Sequence, residues 1–228
     1  MTDGSRPPGP SRRAAARFTR SDTSRAEAFS DGVFAIAVTI LVLGLATPPH
    51  RSGALGHALA RQWPAYIGYV ASFGYVAVIW LNHHQTFVRI RSMDRGLQAT
   101  NLALLFTTAA IPFPTGVLAD ALREDVSGTD SRVAVLLYAG IATAMCMSWA
   151  LLFHYLGRHS ELLHSDVEPE FTRDGVVRSF CGVVIYALAG VLGYFITPLI
   201  ALAGFILLPP FYFVSIEGVP GRWQRPGD

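Results

Sequence analysis

The side chains most able to do chemistry lie near the ends of long apolar segments. Asp31 opens the first segment, the adjacent pair His83 and His84 closes the second, and Asn101 opens the third. A carboxylate at the mouth of a membrane span costs free energy unless it is paired, so Asp31 needs a partner. If successive segments cross a membrane in opposite directions, all these residues lie at a similar depth. We therefore predict a hydrogen-bonded cluster of Ser30, Asp31, one histidine and Asn101.

Catalytic chemistry is not favoured by the same residues. Adjacent histidines on a helix point about 100° apart, so His83 and His84 cannot easily bind one metal ion. The sequence has no HExxH motif, no GxSxG motif and no phosphate-binding loop. Cys146 and Cys181 lie in apolar segments and do not form a CxxC pair. We predict no enzymatic activity, no metal site and no cofactor.

The composition indicates the elements that must position these residues. The chain has 228 residues, of which 51% are hydrophobic and 15% charged, whereas a soluble domain carries about 25% charged residues. The apolar residues are concentrated in stretches about as long as a bilayer is thick. We predict an all-α, polytopic membrane protein with six transmembrane helices, and five spans are the main competing count. The stretches are 29–47, 63–87, 98–118, 133–156, 176–196 and 199–216.

The basic residues predict the orientation of the chain. All 18 are arginines, and most lie in the N-terminal arm, in the loops after the second and fourth stretches, and in the C-terminal tail. The positive-inside rule then places both termini in the cytoplasm. We predict a disordered Arg-rich arm at 1–24, a six-helix channel domain at 25–217 and a cytoplasmic tail at 218–228. The arm lacks interleaved aromatic residues, so anionic lipid rather than nucleic acid is its expected partner. An all-Arg, Ala- and Gly-rich chain also suggests a bacterial plasma membrane.

One face of the first helix has a pattern of its own. At 100° per residue, Ile36, Thr39, Ile40 and Leu43 fall within a stripe about 80–100° wide. Several copies of this stripe around a symmetry axis would form a narrow pore, in which Thr39 offers oxygens to a cation. The same periodicity fits a lipid-facing or helix-packing surface, and periodicity alone does not separate these interpretations.

Four motifs in the first half of the chain resemble one family. Arg25, Phe29, Ser30 and Asp31 form an R-x-x-x-F-S-D string, and Trp80, His83, His84 and Phe87 form W-x-x-H-H-x-x-F. Asn101-Leu102 and Pro112-Phe113-Pro114-Thr115 follow in order. The chain thereby resembles the transmembrane protein 175 family of potassium channels over residues 25–118.

The resemblance implies a homotetramer whose first helix lines the pore, with potassium as the permeant ion. It assigns the hydrophobic constriction or gate to Ile36, Ile40 and Leu43, and the hydroxyl that favours potassium over sodium to Thr39. It also implies a structural polar network beside the pore. That network comprises Arg25, Phe29, Ser30, Asp31, Trp80, His83, His84 and Asn101.

A proton-coupled or other secondary cation transporter is the alternative function. Segment 111–116, which is interrupted by Pro and Gly, resembles the broken helices of such carriers.

Overall fold

A computed structural model describes the backbone of residues 10–216 and the side chains of residues 23–208. The described part is helical throughout, apart from connecting loops. Its helices are α1 (Pro10–Leu41), α2 (Leu55–Ala60), α3 (Trp63–Phe87), α4 (Arg95–Ala109), α5 (Pro112–Glu124), α6 (Thr129–Arg158), α7 (Pro169–Phe195) and α8 (Pro198–Ile216). The predicted all-α class is therefore confirmed.

Five segments are long and apolar enough to cross a membrane, by length and composition. They are Thr23–Gly44, Trp63–Phe87, Arg95–Glu124, Thr129–Arg158 and Pro169–Phe195. The sixth predicted stretch forms α8, of which the part with described side chains, Pro198–Leu208, is shorter than a membrane span. The structure thus supports a multi-pass membrane protein, and the count of six spans stays a prediction.

Prolines decide where two of the predicted stretches are divided. The stretch at 98–118 is two helices, because Pro112 at the start of α5 cannot continue the hydrogen-bond ladder of α4. The fifth and sixth stretches are separate helices, since α7 ends at Phe195 and α8 begins at Pro198. Proline is well suited to the first turn of a helix, where its missing N–H leaves no bond unmade.

The N-terminal arm differs from the prediction of disorder at 1–24. The helical backbone of α1 begins at Pro10, so the second half of the arm is helical. The run Ala14–Ala16 between arginines explains this, because alanine and arginine have high helix propensity. Residues 1–9 and the predicted cytoplasmic tail at 218–228 lie outside the described residues. The domain boundaries stay a prediction.

Helices α6 and α7 form the centre of the bundle. They pack closely because small residues face each other: a Cβ atom added to Gly190 would lie 2.5 Å from the Cβ of Ala139. Helix α4 packs on α6, and α1 packs on α3, α4 and α5. The α3–α4 and α6–α7 loops are joined by backbone hydrogen bonds, including Arg91 N–H to Leu162 O at 2.8 Å. The ends of four helices are thus tied together.

The position of two arginines corrects the sequence analysis. Arg173 and Arg178, which we counted in a loop, both lie in α7. Arg178 is nine residues from the first residue of that helix. It therefore lies in a helix that is long and apolar enough to cross a membrane, rather than in a loop.

Candidate functional site

The first helix presents two different faces. One face packs against the rest of the chain, and its residues are three, four or seven positions apart, as expected for one side of a helix. Its buried members are Ser30, Phe34, Ala37 and Leu41. The opposite face carries the predicted stripe, on which Ile36, Ile40 and Leu43 are 60%, 44% and 74% exposed. This stripe is the less covered face of α1, although Ile40 and Leu43 border an open pocket shared with Tyr69 and Phe113. Its exposed surface is available to line a pore, contact lipid or meet a second copy.

Thr39 is a hydroxyl within the apolar stripe. Its side chain is exposed, and its Oγ1 donates to the backbone carbonyl of Ile36 at 2.9 Å. Because the single hydroxyl proton is used inside the helix, the oxygen lone pairs remain available as acceptors. The stripe therefore offers acceptors, and no free hydroxyl donor, at this position. That is the chemistry required to contact a cation.

The buried face of α1 is tied to α3 and α4 by a chain of polar groups. Ser30 Oγ donates to the carbonyl of Ala26 at 2.8 Å and accepts from the Asn101 side-chain amide at 3.1 Å. The Asn101 carbonyl oxygen lies 2.9 Å from His83 Nε2. Ser30, Asn101 and His83 are all buried. The chain therefore fixes three helices at one level in the buried interior.

The hydrogen-bond network assigns the tautomer of His83. Because the Asn101 amide group donates to Ser30, its oxygen must accept, so Nε2 of His83 carries the proton. The other ring nitrogen, Nδ1, is buried and has no hydrogen-bond partner within residues 23–208. Aromatic rings surround it instead: Phe34 approaches edge-on at 5.1 Å and Phe87 stacks at 4.0 Å, measured between centroids. His83 is thus placed as a neutral connecting residue.

A second pair of contacts joins α1 to α3 at the exposed edge of the same region. The Trp80 indole Nε1 donates to Asp31 Oδ1 at 2.9 Å, and His84 Nδ1 lies 3.2 Å from Glu27 Oε1. The two contacts are one helical turn apart on both antiparallel helices, and Trp80 stacks on His84. Asp31 therefore has the partner that its position required.

The structure divides the predicted cluster in two. Ser30, His83 and Asn101 form the buried chain, whereas Asp31, Trp80 and His84 belong to the exposed pair. The cluster predicted from Ser30, Asp31, His83 or His84, and Asn101 is thus two hydrogen-bonded groups, with His83 in the buried chain and His84 in the exposed pair. The spacing Glu27–Asp31 matches that of Trp80–His84 and could have revealed the missed Glu27.

Two residues of the predicted network stand apart from both groups. Arg25 is exposed and forms no hydrogen bond or ion pair with any side chain described between 23 and 208. Phe29 is also exposed. On the helix, Phe29 lies seven residues before Ile36 and thus on the same side as the apolar stripe.

A separate polar group caps the start of α4 at the same end of the bundle. Asp94 accepts from the backbone N–H of Leu97 at 2.8 Å and from the Tyr155 hydroxyl at 2.6 Å. Partial burial raises the pKa of Asp94, but these two hydrogen bonds outweigh that effect and hold the pKa below its ordinary value. Tyr155 stacks on His159, whose Nδ1 lies 3.1 Å from Glu161. The group links α4 to the end of α6.

Comparison with known proteins reveals a consistent set of relatives. A family model described as "Endosomal/lysosomal potassium channel TMEM175" matches residues 25–112. A protein of Streptomyces collinus named as a potassium channel is 39% identical over 203 residues, covering 89% of this chain and 97% of the relative. A second, from Chamaesiphon minutus, is 39% identical over 144 residues, covering 62% of this chain and 67% of the relative.

The fold has a solved counterpart. The crystal structure of a lysosomal potassium-selective channel TMEM175 homolog from Chamaesiphon minutus superposes with a TM-score of 0.73 at 31% sequence identity. The superposition covers 86% of this chain and 99% of that one.

Proposed function

Because the chain belongs to the TMEM175 family of potassium channels, we propose that it conducts potassium passively across a membrane, with the exposed face of α1 lining the pore. The observation that carries this proposal is that face itself: an apolar stripe, interrupted by one hydroxyl, that points away from its own subunit. The relatives are named as channels, which does not favour the secondary transporter. The family is one of ion channels and is not an enzyme class.

A pore requires several copies of α1. We propose a homotetramer, in which four copies of Ile36, Ile40 and Leu43 surround the axis and form an apolar neck. An ion in this neck loses part of its hydration shell with little compensation from the wall. Potassium loses water at a lower cost than sodium, so the neck conducts potassium preferentially. Loss of water from the ring of Ile36 closes the pore.

Thr39 adds a polar ring to the neck. Its proton is held by the Ile36 carbonyl at 2.9 Å, so four hydroxyl oxygens present lone pairs to the axis. These oxygens replace part of the lost hydration shell of a cation, and they offer nothing to an anion. This provides a modest preference for potassium over sodium without a carbonyl filter or a bound cofactor.

The polar groups beside the pore have a structural role in this proposal. The buried chain through Asn101 fixes the rotation of α1 about its axis, and this rotation decides which residues face the pore. The arginine distribution supports cytoplasmic termini. The bacterial sources of the relatives support a bacterial plasma membrane.

Ion flux from proteoliposomes tests the function. We expect potassium to leave down its gradient faster than sodium down an equal gradient, without coupling to a proton gradient. Flux that requires a proton gradient would instead support the transporter. No flux of either ion from vesicles in which the protein is inserted and folded would contradict the proposal.

Two substitutions test the assignment of the stripe. Ile36→Asn is expected to hydrate the neck and increase flux, whereas Val70→Asn, at an exposed apolar residue of α3, is the matched control. Thr39→Ala is expected to lower the preference for potassium, measured as a bi-ionic reversal potential. Its control is Thr107→Ala, whose hydroxyl also bonds within its own helix, at 2.9 Å from Leu104 O. Equal behaviour of a variant and its control would remove that residue from the pore.

A further inference from the structure

A cavity lies between α3, α6 and α7 and takes no part in the proposed pore. It is open on one side, and the space between the helices, counted together with the open solvent at its mouth, is about 630 Å³. Most of its wall is apolar and includes Val78, Ile79, Met145, Trp149 and Phe153. The wall contains no carboxylate from the described part of the chain. In a membrane protein, such a cavity is surrounded by lipid rather than by water.

The cavity is elongated and has two different ends. Tyr75 and Tyr186 close one end, where both are buried and their ring centroids lie 5.7 Å apart. Asn82 and Arg178 lie at the other end, where both are half-buried. Eight residues of α7 separate Arg178 from Tyr186, which corresponds to about 12 Å along the helix. The space is long, with an apolar interior and a polar mouth.

The side chain of Arg178 can extend towards the boundary between lipid headgroups and acyl chains. Helix α7 has 27 residues and is about 40 Å long, whereas the hydrocarbon core of a bilayer is about 30 Å thick. Arg178 lies about 14 Å from the start of the helix, and therefore about 9 Å inside the hydrocarbon if the helix is centred. A long arginine side chain reaches back over much of that distance to the interface.

Arg178 has the chemistry to hold a phosphate group. Arg178 already makes a contact within the protein, and a guanidinium has more donors than one such contact uses. The guanidinium has five N–H donors in a fixed plane, so it can bind a phosphate in two places while retaining a contact within the protein. The chemistry of the mouth is thus complementary to an anionic lipid headgroup.

We infer that this cavity binds one acyl chain of an anionic phospholipid, whose phosphate pairs with Arg178. The chain lies along Trp149 and Phe153 towards the tyrosines, and the headgroup stays at the mouth beside Asn82. The inference does not depend on ion conduction, since it rests on α3, α6 and α7 alone. A zwitterionic lipid fits the apolar wall equally well but is held less strongly at the arginine.

Quenching of Trp149 fluorescence by brominated lipids tests the site. The full-length protein is reconstituted in phosphatidylcholine vesicles that contain increasing fractions of either brominated phosphatidylglycerol or brominated phosphatidylcholine. Subtracting the signal of Trp149→Phe isolates the tryptophan in the cavity wall. We expect half-maximal quenching by the anionic lipid at an about fivefold lower mole fraction than by the zwitterionic lipid.

Two arginine variants test whether Arg178 causes the preference for the anionic lipid. Arg178→Gln is expected to reduce the fivefold ratio between the two half-maximal mole fractions to about one. Arg173 is exposed and nearer the start of the same helix, and Arg173→Gln is expected to keep that ratio. If Arg178→Gln does not fold, Arg178→Lys retains the charge and is expected to retain most of the ratio. Equal quenching by the two lipids in the wild-type protein would overturn the inference. An equal loss of preference in Arg173→Gln and Arg178→Gln would also overturn it, because general surface charge would then be the cause.

Discussion

Replacing Asn101 tests whether the buried polar chain holds α1 in place. Leucine has a similar size but no amide, so Asn101→Leu leaves Nε2–H of the fully buried His83 without its acceptor at 2.9 Å. Ser30 keeps the hydrogen bond that it donates to Ala26 O and loses only the one that it accepts from the Asn101 amide. A stranded buried donor costs about 1–3 kcal/mol, and single bonds between membrane helices average about 0.6 kcal/mol. We therefore expect Asn101→Leu to lower the free energy of unfolding by about 2 kcal/mol.

The assay is unfolding of the purified protein in mixed micelles, followed by helical circular dichroism as the fraction of denaturing detergent rises. Thr100→Val is the matched control, because the Thr100 hydroxyl bonds only within α4, to Leu97 O at 2.8 Å. The control is expected to change stability by less than about 0.5 kcal/mol. Ser30→Ala combined with Asn101→Leu is expected to cost less than the sum of the two single changes. If Asn101→Leu is as stable as the control, the polar chain does not hold the helices together.

Two further substitutions test the packing and the pH response. Tyr155→Phe removes a donor that lowers the pKa of Asp94. A lowered pKa stabilises the fold at pH values above the unfolded pKa of about 3.9, and this stabilisation is lost as the pH falls through the lower folded pKa. The melting temperature of the variant should therefore lie below that of wild type at neutral pH, and the difference should begin to shrink below about pH 4 and disappear below the folded pKa of Asp94. A difference that stays constant over this range would contradict this. Gly190→Ala brings a methyl group against Ala139 and should lower the free energy of unfolding by about 1–3 kcal/mol. Gly140→Ala is the control, because an added Cβ there has nothing within 4 Å, and it should be neutral or slightly stabilising. Equal effects of the two substitutions would refute close packing at Gly190.

Properties of a single helix were predictable from the sequence. The period of 3.6 residues places Ile36, Thr39 and Ile40 on one stripe, and the structure leaves the residues of that stripe exposed. The polar residues at the ends of the stretches were also correctly placed at one end of the bundle. Both results depend only on distance along a helix and on the direction of each span, which local sequence determines.

Pairing between helices was not predictable in the same way. Which residue of α3 meets Asp31 depends on the rotation of α3 about its axis, and packing throughout the bundle sets this rotation. Trp80 rather than His83 meets Asp31, since His83 faces inward to Asn101. The second half of the N-terminal arm was missed for another reason. Its charge suggested disorder, whereas the helix propensity of its alanines extends α1 back to Pro10.

The hydrogen bond between Ser30 and Asn101 has a consequence for how the protein is made. The two residues are 71 positions apart, so at about 5–20 residues per second the ribosome needs about 4–14 s to supply the partner. During this interval Ser30 has no partner on α4, although α3 is synthesised before the interval ends. The position of Ser30, Asp31 and Glu27 near one end of the apolar stretch lets water and headgroups satisfy them until α3 and α4 arrive. The timing of synthesis therefore requires the polar contacts of α1 to lie at the membrane surface.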